Sequence, residues 1–259
     1  MKNFHKNFSA IVKSEAIYNT RKKGDWMPMY KNKKPFTADM HMHTYYSMDS
    51  LTKPEDILKT AIKKGLSCVA ITDHNEIGGA LQAQKIAKEK KLPLQVIIGE
   101  EVSCKEGDLL VYFVKKKIER GPLSEVLREV ERQGAICCAA HPYDKRRHGI
   151  EIDRLPKKVL SQIHAIEAFN ARCGQDALNK MALEYAIKNR KRMFAGSDAH
   201  HASEVGTVRV EFVGVKRLTV KNILSAKTVI YGKRSSKLVR FYSRYAVLIK
   251  KIRRVANLK

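Results

Sequence analysis

The stretch TADMHMHT, residues 37–44, joins a short apolar run to a pair of histidines. The run at Thr37–Met40 has the length of a buried β-strand. His41 and His43 are two residues apart, so on an extended backbone their side chains point to the same side and can bind one ion together. This segment therefore combines a buried strand with potential metal ligands at its end. Recurrence of that combination along the chain would indicate the fold.

The pattern recurs, with helices between the strands. Apolar residues at helical spacing in Pro54–Lys64 predict a helix, and the run Cys68–Thr72 predicts the next buried strand. The later predicted elements are a helix at Ala80–Lys90, strands at Gln95–Ile98 and Leu109–Val114, a helix at Leu123–Gln133, strands at Ala135–Ala140 and Ile163–Phe169, a helix at Ala177–Asn189 and a strand at Met193–Gly196. This alternation predicts parallel strands joined by crossover helices. About seven strands favour a closed or nearly closed β/α barrel, with a doubly wound open sheet as the alternative.

The net charge of +25 belongs to the two ends of the chain. Residues 1–34 contain 9 Lys or Arg and 2 acids, and residues 216–259 contain 14 Lys or Arg and no acid. We therefore predict a basic N-terminal extension (1–34), a catalytic barrel (35–215) and a basic C-terminal segment (216–259). The basic ends suit partners such as nucleic acid or an anionic membrane surface, although a merely solvated basic surface would have the same composition.

The C-terminal segment also has a helical pattern. Apolar residues in Ser236–Val255 lie roughly on one helical stripe, and most of the basic residues lie elsewhere. Such a helix packs on its own domain or lies on a membrane surface. We expect it to pack on the barrel.

The remaining bulk features predict a cytoplasmic protein. No apolar run has the length of a membrane span, and the first residues lack the continuous apolar stretch of a secretion signal. The five cysteines have no CxxC spacing and several lie in apolar runs, which indicates buried thiols in a reducing compartment.

Potential metal ligands cluster at the ends of the predicted strands. In a parallel β/α architecture these ends face one rim, where active sites form. Imidazole and carboxylate ligands without thiolates suit Zn, Mn or Fe with positions left open for water and substrate. The clusters are residues 39–43, 72–75, 99–101, 141–142 and 197–200. Five such clusters, each at a strand end, predict a metal-dependent enzyme.

Five motifs together resemble the PHP family, named for polymerase and histidinol phosphatase domains. They are DMHMHTYYSMDS (39–50), AITDHNE (70–76), IIGEEVS (97–103), AAHPYD (139–144) and AGSDAH (195–200). The resemblance extends from Pro35 to about Phe212. It implies a distorted seven-stranded β/α (TIM-like) barrel, two or three divalent ions (Mn, Zn or Fe), and hydrolysis of phosphate esters.

The resemblance also implies a set of ligands. His41, His43 and Asp198 would bind the first ion. Glu101 would bridge the first and second ions, and His141 would bind the second.

The choice of Glu101 over Glu100 follows the family pattern, which has one residue between the glycine and the ligand. A third ion would be bound by His74 and His200, with Asp49 as the carboxylate. Family members usually carry a histidine where this chain has Asp108. An aspartate still binds such ions through oxygen, but it is shorter and charged, so the second site is expected to be altered or weakly occupied.

The implied chemistry is attack on phosphorus by a metal-bridging hydroxide, formed from a water whose pKa two ions lower towards neutrality. His200 or Asp73 are candidates for proton transfer, and Asp73 is equally a candidate for orienting a histidine. Four further residues are candidates for holding the substrate phosphate: Arg146, Arg147, Asn170 and Arg172.

Several functions fit this chemistry. The leading prediction is hydrolysis of a small phosphorylated molecule or nucleotide. Alternatives are an exonuclease acting on short oligonucleotides, and a non-catalytic metal-binding module tethered to nucleic acid or membrane. Histidinol phosphatase activity itself is also compatible, but no residue selects it.

Overall fold

Strands and helices alternate from residue 36 onward, close to the predicted bounds. The computed structural model describes residues 10–11, 35–236 and 238–256. The strands are β1 (Ala10–Ile11), β2 (Phe36–Asp39), β3 (Cys68–Ile71), β4 (Gln95–Cys104), β5 (Gly107–Tyr112), β6 (Ile136–Ala139), β7 (Ala165–Asn170), β8 (Arg192–Gly196), β9 (Val208–Phe212) and β10 (Thr228–Gly232). The helices are α1 (Pro54–Lys63), α2 (Gly78–Glu89), α3 (Leu123–Gln133), α4 (Lys157–Gln162), α5 (Asp176–Lys188) and α6 (Val239–Val255).

The strands form one sheet that curls into a nearly closed barrel. Their order is β1-β10-β9-β2-β3-β4-β5-β6-β7-β8. Beyond β8 the chain returns to the extension of β2, where the Asp198 amide donates to the His41 carbonyl and the His43 amide donates to the Ala199 carbonyl, each at 2.8 Å. The α/β barrel is therefore confirmed, and the open doubly wound alternative is wrong.

Large side chains from distant strands meet inside the barrel. The Phe194 ring on β8 lies 5.8 Å, centroid to centroid, from Tyr112 on β5 and 6.1 Å from Phe212 on β9. All three side chains are buried. Because these strands are not neighbours in the sheet, the contacts require a filled interior of the kind that β/α barrels have.

The predicted count of seven strands was wrong, since the described residues form ten. The additional strands β9, β10 and β1 lie on the free side of β2, and β9 is antiparallel to both β2 and β10. In β9 the buried residues Val208, Val210 and Phe212 alternate with partly exposed ones. An alternation of buried and partly exposed residues is typical of an antiparallel strand with one face in solvent. The seven predicted strands were recognised instead by continuous apolar runs, which β9 lacks.

The prediction of uniformly parallel strands was also wrong, because β5 is antiparallel to both β4 and β6. Only Lys105 and Glu106 connect β4 to β5, and a parallel crossover needs a dozen residues or more. The reversal pairs Ser103 near the end of β4 with Asp108 at the start of β5. Asp108 thereby reaches the same rim as the ligands at the carboxyl ends of the parallel strands.

The two predicted terminal segments differ from expectation. Residues 216–259 contain the strand β10 in addition to the helix that was predicted within Ser236–Val255. Within the predicted extension 1–34 the structure describes only Ala10–Ile11, which pairs with β10, and the rest of that prediction lies outside the described residues. None of the described helices combines the length and apolarity that crossing a membrane requires.

Candidate metal centre

The nine predicted metal ligands lie around one rim of the barrel. Each comes from a strand end or the loop beyond it: His41 and His43 after β2, Asp49 in the following loop, His74 after β3, Glu101 in β4, Asp108 in β5, His141 after β6, and Asp198 and His200 after β8. They converge because the wall is curled and the strands end at a common edge.

The carboxylate of Glu101 lies at the centre of this group. Its Oε1 is 2.8 Å from His141 Nε2. Its Oε2 is 3.2 Å from Nε2 of both His41 and His43 and 3.1 Å from Nδ1 of His74. The Glu101 side chain is fully buried. One carboxylate therefore contacts four imidazoles that come from three different strand ends.

The ligand atoms divide into three groups, each with its atoms within 4.8 Å of one another. The groups are His41, His43 and Asp198; Glu101, Asp108 and His141; and His43, His74 and His200. Asp49 lies beside the third group, with its Oδ2 2.7 Å from His200 Nε2 and 3.6 Å from His74 Nε2. The groups correspond to the three predicted ion sites, with His43 close to two of them.

The hydrogen bonding of His200 fits a cation at the third group. Its Nδ1 lies 2.8 Å from the Asp198 carbonyl oxygen, and its Nε2 lies 2.7 Å from Asp49 Oδ2. Both neighbours are acceptors, but a neutral imidazole carries only one proton. Burial is the main cause that lowers the pKa of His200, which favours the neutral ring, and a neutral ring here directs one nitrogen lone pair at an acceptor.

Unpaired buried atoms also fit a set of metal ligands. Asp49 Oδ1, Asp198 Oδ1 and His141 Nδ1 are buried and form no hydrogen bond. Buried polar atoms without partners are costly and rare in native structures. Combined with the crowded imidazoles, they suit a cation site better than they suit a purely hydrogen-bonded core.

Charges around the rim keep the Asp198 carboxylate ionised and His74 protonated. Burial raises the pKa of Asp198, but the nearby Arg147 and His41 outweigh it and hold that pKa well below its usual range. Burial lowers the pKa of His74, but the Glu101 and Asp49 carboxylates outweigh it and raise the pKa to about 10. Protons therefore compete with metal ions for His74, since only neutral imidazole is a ligand.

Glu167 on β7 orients His41, and it was missed from the sequence. Its Oε1 lies 2.9 Å from His41 Nδ1, which leaves Nε2 of the same ring facing Glu101 and His43. Asn170 Nδ2 donates to Glu167 Oε2 at 3.0 Å and to Asp198 Oδ2 at 2.9 Å. A carboxylate inside the apolar run of β7 was the available signal, because a buried acid needs a partner.

Asp73 holds the loop that follows the two histidines of the first motif. Its Oδ1 accepts from the Thr44 amide at 2.6 Å and from Ser47 Oγ at 2.7 Å, and its Oδ2 accepts from Thr44 Oγ1 at 2.7 Å. Ser47 Oγ lies 3.2 Å from His43 Nδ1. With both oxygens engaged in this way, Asp73 matches the orienting role and not the predicted proton transfer.

Comparisons with known proteins agree with this geometry. A profile of the PHP domain matches residues 39–204. The chain belongs to the PHP domain family. It is 35% identical to an uncharacterized protein of Methanocaldococcus jannaschii over 58% of this chain and 91% of that protein. A second uncharacterized protein of that organism is 30% identical over 85% of this chain and 99% of its own length.

More distant relatives include polymerases and solved structures. DNA polymerase III PolC-type of Streptococcus sanguinis is 30% identical over 52% of this chain. The matched part is only 9% of that polymerase. A two-domain protein from Bacteroides vulgatus, containing a predicted PHP-like metal-dependent phosphoesterase, superimposes with a TM-score of 0.62 at 18% identity, covering 77% of this chain and 65% of that one. PsfC from Pseudomonas syringae gives 0.57 at 16% identity, covering 85% and 99%. Both structures share the fold of this chain.

Of the four predicted phosphate-binding residues, Arg147 lies beside the predicted metal ligands. Its guanidinium contacts Asp198 Oδ2 and donates to Asn170 Oδ1 at 3.0 Å. Its side chain is still 22% exposed, so it borders both the ligands and solvent. Arg146 is exposed on the same turn. Asn170 is buried between Glu167 and Asp198, which makes it a positioning residue and corrects the expectation that it binds substrate.

Arg172 is 7% exposed and its guanidinium is engaged by Glu204 and α6, which contradicts the prediction that it binds phosphate. Its guanidinium pairs with Glu204, with Nε 2.8 Å from Oε1 and Nη2 3.1 Å from Oε2. It also donates to Ser243 Oγ at 2.9 Å and to the Val239 carbonyl at 3.1 Å, both on α6. Arg172 therefore attaches the C-terminal helix to the barrel.

Asp108, the residue that departs from the family pattern, has its own partner. Its Oδ1 lies 2.9 Å from Nδ1 of His148, and its amide donates to the His148 carbonyl at 2.9 Å. Burial raises the pKa of Asp108, and the adjacent Glu101 carboxylate raises it further. The two carboxylates thus repel each other unless a cation lies between them.

A cavity of about 640 Å³ opens onto this side of the centre. The predicted ligands Asp49, His74 and Asp108 line it. Lys117, Glu119 and Arg120, which sequence reasoning did not select, line it as well. The lining therefore combines predicted metal ligands with side chains of both charges.

Proposed function

We propose that this PHP protein is a hydrolase that cleaves a small phosphate ester or a nucleotide. The proposal depends on one observation, the contact of the single Glu101 carboxylate with His41, His43, His74 and His141. A carboxylate in that position can hold two cations side by side, the arrangement that phosphoester hydrolysis uses.

The residues have separate tasks in this proposal. His41, His43 and Asp198 hold the first ion, Glu101, Asp108 and His141 the second, and His74, His200 and Asp49 the third. When bound, such ions activate water and neutralise charge on the phosphoryl group. Glu167 keeps His41 in the required orientation through the 2.9 Å contact at Nδ1.

Arg147 is proposed to hold a phosphoryl oxygen. Its guanidinium has five donors, and the structure uses some of them on Asp198 and Asn170 while part of the side chain faces solvent. We assign His200 first to metal binding, because transfer of a proton through Nε2 would require that atom to be free of Asp49.

The test compares two adjacent glutamates. Glu101→Gln should lower turnover of p-nitrophenyl phosphate by about a hundredfold or more in Mn-loaded protein, because loss of a metal-site group typically costs 10–100-fold or more. Glu100→Gln is the matched control, since Glu100 points the other way and its Oε2 accepts from the Ile118 amide at 2.9 Å. Equal activity of the Glu101 variant and the wild-type protein would contradict the proposed centre.

A second candidate, exonuclease action on short oligonucleotides, is favoured by the relationship to the PHP part of DNA polymerase III PolC-type. The cations Lys117 and Arg120 in the cavity lining suit a polyanion. Release of mononucleotides from a short oligonucleotide, abolished by Glu101→Gln, would favour it. Turnover of phosphomonoesters without release of mononucleotides would favour hydrolysis of a small phosphate ester instead.

The non-catalytic alternative has less support. A vestigial site would be expected to lose ligands, whereas each predicted ligand lies at the rim of this barrel. Phosphatase activity that disappears in His43→Ala would exclude a purely binding role.

A further inference from the structure

Helix α6 uses only a narrow side for contact with the barrel. Ala246 is buried, and Ser243 is held by Arg172. One turn further on, Lys250 Nζ donates to the Tyr45 carbonyl at 2.5 Å and contacts the Ser47 carbonyl. These contacts recur at helical spacing, so one side of α6 faces the domain along the first three turns.

The opposite side of α6 carries an exposed apolar stripe. Its side chains are between 52% and 87% exposed. They are Leu238, immediately before the helix, and Phe241, Tyr245, Leu248, Ile252 and Val255. The spacing alternates between three and four residues, which keeps all six on one side of a helix. Contiguous exposed apolar surface of this extent marks an interaction site.

The stripe lies next to a strongly basic surface. Arg244, Lys251, Arg253 and Arg254 are exposed on the same helix. The segment 216–259 contains 14 Lys or Arg and no Asp or Glu. A partner for this helix must therefore be apolar in part and negatively charged in part.

We propose that α6 docks on an anionic lipid bilayer, with its apolar stripe in the interface and its basic residues at the headgroups. Interfacial helices combine these two features, and anionic lipid supplies both an apolar layer and negative charge. A second copy of this chain would bring two cationic helices together, which charge repulsion opposes. A nucleic acid would pair with the charge but would leave Leu248, Ile252 and Val255 without an apolar partner.

Docking through α6 would hold the metal centre close to the lipid. The ring of Tyr242 on α6 stacks on His201, next to the predicted ligand His200, with centroids 4.7 Å apart. Lys250 contacts the loop that also carries Asp49. The helix and the rim of the barrel are therefore connected directly.

Cosedimentation of the full chain with vesicles tests this inference. Wild-type protein should bind vesicles that contain phosphatidylserine and phosphatidylcholine much more strongly than vesicles of phosphatidylcholine alone. The variant Leu248→Glu/Ile252→Glu should lose at least about tenfold in binding to the anionic vesicles, because it removes apolar area from the stripe. The variant Arg244→Gln/Lys251→Gln should lose binding mainly at low salt.

A matched control uses equally exposed apolar residues on other helices. Leu81 on α2 and Ile187 on α5 are 47% and 44% exposed, so Leu81→Glu/Ile187→Glu changes charge and apolarity without touching α6. This control should bind vesicles as the wild-type protein does.

Several results would overturn the inference. They are no binding of the wild-type chain to anionic vesicles, equal binding to neutral vesicles, or equal loss in the α2/α5 control. A dimer that the α6 variant converts to monomer, without any vesicle binding, would identify the stripe as a contact between copies. Binding to a single-stranded oligonucleotide that the same variant abolishes, again without vesicle binding, would identify it as a nucleic-acid surface.

Discussion

At the scale of single residues, the centre depends on which way each side chain points along a strand. Glu101 faces four imidazoles, while its neighbour Glu100 faces the other side, where burial raises its pKa to about 7. The resemblance to the PHP family implied the choice of Glu101, and the opposite directions of the two side chains agree with that choice. Glu167 and Arg172 could not be assigned in the same way, because their roles depend on partners far away in the sequence, namely His41 and Glu204.

The departure at Asp108 leads to a prediction about metal affinity. Asp108→His replaces a short carboxylate, which repels Glu101, by a neutral imidazole of the kind that the resemblance implies. We expect the second ion to bind roughly tenfold more tightly, within the range that changes around metal sites produce. Isothermal titration with Mn or Zn, with the stoichiometry fitted, measures this.

Asp108→Asn serves as the control for that variant, because it removes the charge without adding an imidazole. Similar gains in both variants would show that the charge alone is responsible. Weaker binding in Asp108→His would contradict the prediction and would indicate that the pair with His148 supports the site.

At the scale of elements, the sequence predicted five of the six described helices, because apolar residues recur at helical spacing in each of them, and it missed the short α4, which has no buried residue. Leu123–Gln133 was predicted with its observed bounds, and it ends at Gly134 in the left-handed conformation that favours glycine. The strands were less predictable in number and direction. The half-exposed β9 lacks a continuous apolar run, and the antiparallel direction of β5 follows from a two-residue connection.

The attachment of α6 leads to a prediction about stability. Arg172 and Glu204 are 7% and 2% exposed, so Arg172→Met leaves a buried carboxylate without its main partner. We expect a loss of about 3 kcal/mol in the free energy of unfolding, measured by urea denaturation. Limited proteolysis should also cut α6 sooner, because its contacts through Ser243 and Val239 are lost.

The double variant Arg172→Met/Glu204→Gln separates the causes. Removing the remaining charge should recover part of the lost stability, since an unpaired buried charge is the main cost. A single variant as stable as the wild-type protein would show that the pair contributes nothing to the attachment of α6.

At the scale of the whole molecule, closure of the barrel brings together groups from residue 41 to residue 200. The sequence predicted this convergence from the strand ends, because a curled parallel wall places them at one edge. It could not predict that β9 and β10 extend the sheet beyond β2, or that α6 leaves its apolar stripe exposed. Both features depend on which other segment packs against a strand or helix, and the spacing of apolar residues in the sequence does not identify that segment.

The convergence has a consequence for thermal stability. Divalent ions that bind only the folded chain stabilise it by about 2.7 kcal/mol at a hundred times the dissociation constant, or about 5–10 °C in melting temperature at this chain length. Treatment with a chelator should therefore lower the melting temperature by several degrees, and added Mn or Zn should restore it. Glu101→Gln should respond much less to either treatment, whereas Glu100→Gln should respond as the wild-type protein does. A melting temperature that neither chelator nor metal changes would mean that the imidazoles and carboxylates at the rim meet for a reason other than binding cations.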